Sequence, residues 1–91
     1  MDLETKLEML RLSLGIKTTA YNERLRHLLN AAKGEIEREG YTLQGTPADD
    51  NLQIIYAEWL WRRRDTGEGM PRMLRWQLNN RIFDRGGEAD G

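Results

Sequence analysis

Apolar residues recur at the three-and-four spacing of a helix in four separate stretches, and no convincing run alternates as a half-buried strand would. Valine, a common strand former, is absent. In the first stretch Leu3, Leu7, Leu10 and Leu14 share a narrow stripe, with Asp2 placed to cap it and Gly15 able to end it in the left-handed conformation. This predicts a helix over residues 3–14. The second stretch opens at "KTTAYNE", where Thr18 or Thr19 can accept the first free amides. It continues through Tyr21, Leu25, Leu28, Leu29, Ala32 and Ile36 to a stop at Gly40. Gly34 inside it costs about 1 kcal/mol relative to alanine, which implies either a close packing approach or a locally weak helix.

The connector "YTLQGTPADD" ends in a helix start: Thr46 caps, Pro47 takes the first helical position and Asp49 is expected to reach back as a capping-box partner. A third helix is predicted from Pro47 to about Arg64, burying Leu52, Ile55, Tyr56, Trp59 and Leu60. "DTGEG" breaks it, and Pro71 opens a fourth helix that runs to about Asp84. The remainder, "RGGEADG", is glycine-rich and charged. The expected fold is therefore all-α: a small bundle of about four helices forming a single domain over residues 1–85, followed by a disordered C-terminal tail over 86–91.

A small helical domain is expected to bury one stripe per helix, and here several apolar residues lie off that stripe. Met9 and Leu12 fall away from the leucine line of the first helix. Ile54 and Trp61 sit on a flank of the third. In the fourth, Met70, Leu74, Leu78 and Ile82 mark one side while Met73, Trp76 and Phe83 mark another. Such a surplus points to an interface with another subunit or a partner, where Trp, Met and Arg are enriched.

Composition bounds the chemistry. The chain has 91 residues, and a domain of that size buries only about 60–65% of its unfolded surface, so contact with partners would stabilise it further. Cysteine is absent, which removes disulfides, thiolate metal sites and thiol nucleophiles and fits a reducing compartment. The start "MDLETKLEML" has no apolar run of signal-peptide length, and nothing approaches a membrane span, so a soluble intracellular protein with no membrane contact is expected.

Charge is unevenly distributed. Residues 1–61 carry seven basic and ten acidic side chains, whereas residues 62–85 carry seven basic and three acidic. The basic segment could meet phosphates or the acidic surface of another protein, including a second copy of this one. "WRRRD", with Arg62, Arg63 and Arg64, together with Arg72, Arg75 and Arg81, is the constellation that supports a nucleic-acid reading, with Trp76 available to stack on a base. A small helical nucleic-acid-binding regulator is accordingly the alternative function.

Catalytic signatures do not emerge. His27 is the only histidine and Ser13 the only serine, both inside predicted helices. Glu35, Glu37 and Glu39 lie near a helix end in a charged, solvated segment. Asp49 and Asp50 belong to a first turn, where the helix dipole favours carboxylates. "TGEG" lacks the lysine and hydroxyl residue of a phosphate-binding loop. No catalytic, cofactor-binding or metal-ligating residues are expected. Asn79 and Asn80, poor helix formers late in the fourth helix, are candidates for hydrogen bonds to another chain.

The order "MLRLSLGI", then "YNERLRHLLNAAKGEIEREG", then "YAEWLWRRRDTGEGMPRMLRWQLNNRIF" resembles the small head-tail connector (adaptor) proteins of tailed phages and prophages, also called DNA-packaging proteins. The likeness runs from about Met9 to Phe83 and is most specific from Met70 through Arg75 and from Leu78 to Arg81. It implies a non-enzymatic all-helical subunit of the virion, assembled in the bacterial host cytoplasm. Copies would form a homo-oligomeric ring, dodecameric in the virion, between the portal protein and a tail-side head-completion protein. DNA would pass along the ring axis without sequence recognition. On this view the segment from Gly67 to Phe83 joins subunits: Met70, Met73, Trp76 and Phe83 supply area, while Arg72, Arg75, Asn79, Asn80 and Arg81 supply polar fit. Ile54, Trp61 and Arg62 to Arg64 complete the expected subunit or portal interface.

Overall fold

Local capping chemistry sets the helix boundaries in the computed structural model, which describes residues 1–83 with their side chains and the course of the last helix as far as Asp90. Gly91 and the side chains of the expected disordered tail, 86–91, lie outside the residues so described. Helix α1 (Leu3–Ser13) begins with the Thr5 amide donating to the Asp2 carboxylate at 2.8 Å. It ends where Gly15 turns to φ 73°, which lets the Ile16 and Gly15 amides reach the Arg11 and Leu12 carbonyls at 3.0 and 3.1 Å. Helix α2 (Asn22–Arg38) closes in the same way at Gly40 (φ 113°), and the Tyr41 amide there donates to the Ile36 carbonyl at 3.4 Å. This closure delivers the Tyr41 side chain into the core.

The start of α2 corrects the sequence expectation. Thr18 accepts from the Ala20 amide and the Thr19 carbonyl accepts from Asn22, so both threonines are used in a turn ahead of the helix. Tyr21 becomes the N-terminal flanking residue, without a side-chain cap. It is exposed, not on the core stripe, and stands edge-on to Trp61 at 5.6 Å. Helix α3 (Pro47–Thr66) starts as expected on Thr46, whose hydroxyl accepts from the Asp49 amide at 3.2 Å. Asp49 does not complete a capping box on Thr46. Its carboxylate reaches further back, to the Gln44 amide at 2.6 Å. After the Gly67 amide has bonded to the Arg63 carbonyl, the chain reverses into α4 (Arg72–Asp90).

All described elements are helices, and α3 is their hub: α1 and α2 pack on it and on each other, while α4 packs on it from another side. Leu52, Ile54, Tyr56, Ala57 and Leu60 are all buried although they point around the circumference of α3. Here the expectation of a single buried stripe per helix fails. Ile54, assigned to an external interface, is only 4% exposed, because a helix covered on several sides buries more than one stripe. Conversely, Ile55 and Trp59 are half-buried at the edge of the cluster. Each fully buried leucine, such as Leu25, Leu29 or Leu52, contributes about 1.5–3 kcal/mol.

A polar chain crosses this apolar centre. Lys6 Nζ donates to Gln53 Oε1 at 2.7 Å and lies 3.4 Å from the Asp50 carboxylate, while Gln53 Nε2 donates to the Leu29 carbonyl at 2.9 Å. One lysine, one aspartate and one glutamine thereby join α1, α3 and α2, and the buried amide of Gln53 is bonded at both ends.

Gly34 is exposed on α2, and a Cβ built there would meet nothing within 4 Å. No close packing requires a glycine, which leaves the locally weak helix. Gly34→Ala is expected to stabilise the fold by about 1 kcal/mol, raising the melting temperature by roughly 4–8 °C. Thermal denaturation followed by circular dichroism checks this, and an unchanged or lower midpoint would refute it.

Candidate interaction surface

Helix α4 has two apolar faces. Successive residues are about 100° apart, so Leu74, Leu78 and Ile82 fall on one side while Met73, Trp76, Asn80 and Phe83 fall within about 80° on the other. The first side packs on α3, with Leu74 and Leu78 fully buried. Arg75 and Arg81 flank it and turn inward. Arg75 Nη1 meets Glu39 Oε1 at 2.7 Å at the end of α2, and Arg81 Nε lies 3.3 Å from Asp49 Oδ1 at the start of α3.

Asp49 is the anchor of this arrangement. Only 2% exposed, its carboxylate holds the Tyr41 hydroxyl between its two oxygens, 2.8 and 2.9 Å away, and accepts from the Gln44 amide and from Arg81. A single carboxylate thus ties together the end of the α2–α3 connector, the first turn of α3 and the middle of α4. Asp49 and Asp50 stand in the first turn of α3, as the sequence implied, and the structure shows in addition that both are buried. They are buried because the connector folds back over Asp49 while Lys6 and the amino group of Met1 reach Asp50. An aromatic residue just after a helix-ending glycine, eight positions before an aspartate, was the available signal.

The opposite side of α4 faces outward. Met73, Trp76 and Phe83 are 67%, 61% and 76% exposed, and Arg72, Met73 and Trp76 line an open groove of about 530 Å³. Asn79 and Asn80 are half-buried, and Asn80 lies within the outward stripe. Met70 is half-buried against the core and belongs to the inner side.

The arginine cluster at the end of α3 is exposed and mostly engaged within the chain. Arg62 lies 3.6 Å from Glu58, Arg63 sits 4.8 Å over the Trp59 ring, and Arg64 sits 4.1 Å over Trp61. Trp61 is half-buried between the Arg64 guanidinium and the Tyr21 edge, so it is less available to a partner than its sequence position implied. The expected interface residues therefore divide. Arg72, Met73, Trp76, Asn80 and Phe83 converge on one face. Ile54, Met70, Arg75 and Arg81 are directed into the subunit.

A second exposed apolar pair, Met9 and Leu12, lies on α1 at 43% and 70% exposure. The charges of α1 are paired: Glu8 with Arg11, Glu4 with Arg26 and Lys6 with Asp50. A hydrogen bond from Arg26 holds the Glu4 carboxyl below the ordinary carboxylate range. Elsewhere, burial pushes the Tyr56 hydroxyl above its ordinary value. Among the described residues no three His, Cys, Asp or Glu side chains converge as metal ligands, and no helix is long and apolar enough to cross a membrane.

In comparisons with known proteins, no family model, curated protein or solved structure matches this chain.

Asp49→Ala would strand the Tyr41 hydroxyl, the Gln44 amide and Arg81 together, and is expected to destabilise the fold by about 3 kcal/mol. Arg81→Ala removes a partly exposed partner and is expected to cost about 1 kcal/mol. Urea titration of the two variants checks the order, and an Asp49→Ala protein as stable as the parent would show that the anchor contributes nothing.

Proposed function

We propose that this protein is a non-enzymatic, ring-forming adaptor of a tailed phage or prophage, placed between the portal protein and a tail-side head-completion protein. Copies would assemble in the host cytoplasm and remain in the virion at the head-tail junction, with DNA passing through the ring without sequence recognition.

The observation that carries the reading is the outward face of α4, where Met73, Trp76 and Phe83 stand exposed. Monomeric proteins seldom leave a contiguous stripe of this kind on a helix that is already packed on its other side. The segment with the most specific connector resemblance, Met70 to Arg81, runs through this same helix. Closed rings use heterologous contacts, in which one surface of a subunit meets a different surface on its neighbour. The division between an acidic first two-thirds and a basic later segment suits such pairing.

A nucleic-acid-binding regulator would use the arginine cluster with Trp76 stacking on a base. Arg63 and Arg64 cover the faces of Trp59 and Trp61, while Arg72 and Trp76 stay exposed and serve that reading equally well.

The adaptor is expected to self-associate weakly alone and to form an ordered assembly on its portal. Light scattering over a concentration series, with and without the portal of the same phage, tests this, and a protein that stays monomeric throughout and ignores portal would refute it. In a gel-shift assay at low salt, strong duplex binding that collapses as salt rises would favour the regulator instead.

A further inference from the structure

The four helices are not held equally. Helices α1, α2 and α3 pack on one another in all three pairings, and the Lys6, Gln53 and Asp50 contacts tie the same three together without any group from α4. Helix α4 packs substantially on α3 alone, and among the described residues this is the lightest of the main helix–helix contacts. Its fully buried side chains are Leu74 and Leu78, with Met70 and Ile82 half-buried nearby. Beyond Phe83 the sequence "DRGGEADG" offers no large apolar side chain that could add to this attachment.

The charged contacts of α4 are ones it can leave. When Arg81 withdraws, the buried Asp49 carboxylate keeps the Tyr41 hydroxyl and the Gln44 amide, both supplied by the α2–α3 connector, so no buried charge is stranded. Arg75 and Glu39 are both partly open to water already, and a pair in that setting contributes little to holding the helix. The link between α3 and α4 has the composition of a hinge. Gly67 adopts φ 66°, residues 67–69 are exposed, and Pro71 has no amide with which to continue α3. Glu68 is held to α3 by the Trp59 indole and the Thr66 hydroxyl, each at 3.3 Å.

We infer that α4 is a hinged arm, which detaches from the bundle as a unit by turning about residues 67–71 while α1, α2 and α3 stay folded. Release adds Leu74 and Leu78 to the already exposed Met73, Trp76 and Phe83. A helix apolar on two sides is poorly solvated, so the free arm returns to α3 unless another apolar surface takes it. Helix α4 is thereby the element that changes position at least cost when the subunit meets another molecule. The inference concerns the single chain and does not depend on the adaptor reading.

Native-state hydrogen exchange of the full chain, followed amide by amide by NMR, tests it. Amides 75–83 should be protected, but roughly a hundredfold less than the slowest amides of α2 and α3. Leu29→Val removes one buried methylene from α2, outside the arm and its hinge. It should lower the protection of those slowest amides roughly tenfold and leave that of α4 unchanged, because the arm opens without disturbing that site. Leu78→Asp should strip protection from α4 while α1, α2 and α3 remain folded and protected.

Parental α4 amides as slow as the slowest of α2 and α3, or a fall in α4 protection equal to theirs in Leu29→Val, would mean that the bundle opens only as a whole and would overturn the arm. Loss of all protection in Leu78→Asp would do the same by showing that the other three helices cannot stand without α4. Parental α4 amides exchanging at the rate of an unstructured peptide would remove the closed state and the inference with it.

Discussion

The burial of α3 by the other three helices is the constraint on which the structure depends. A helix covered on several sides cannot be amphipathic in the usual sense, and α3 places Leu52, Ile54, Tyr56, Ala57 and Leu60 at widely separated angles, all of them inside. Two consequences follow. The chain must place polar residues at the rim of α3 to orient its neighbours, and those neighbours retain outer faces that α3 cannot cover.

The polar contribution is concentrated in the first two turns of α3. Asp50 and Gln53 receive Lys6 from α1 and reach the Leu29 carbonyl of α2, while Asp49 receives Tyr41, Gln44 and Arg81. Carboxylates in the first turn of a helix are favoured by the positive end of its dipole, and this offsets part of the cost of burying them. The same two aspartates thus cap α3 electrostatically and direct where α1 and α4 lie. Burial of Leu74 and Leu78 sets the azimuth of α4, the ion pairs of Arg75 with Glu39 and Arg81 with Asp49 stand at the flanks, and Met73, Trp76 and Phe83 are left on the side that faces solvent.

The fold and the surface are linked in this way. Helix α4 attaches through Leu74, Leu78 and two charged contacts, while α1 attaches by its leucine stripe and Lys6. Each arm of the hub is held on one side, and each presents apolar residues on the other. These exposed apolar residues lie on helices and not on loops, so their positions are fixed by the packing of the bundle.

Helix number and type, the Asp2 and Thr46 caps and the stops at Gly15 and Gly40 were legible in the sequence. Those features depend on residues within one or two turns of each other. The outward position of Met73, Trp76 and Phe83 was legible too, because the 3.6-residue period separates them from Leu74 and Leu78. Tertiary structure decided what periodicity could not express. It buried Ile54, because only the packed bundle covers that flank of α3, and it moved Tyr21 off the core stripe when the threonines before it closed a turn. It also paired Asp49 with Arg81, Asp50 with Lys6 and Arg75 with Glu39, residues that lie 32, 44 and 36 positions apart along the chain. Short-range pattern determines which residues become helix and, for α4, which side faces out; for α3, packed by all three of its neighbours, the buried sides are settled only when distant helices cover it.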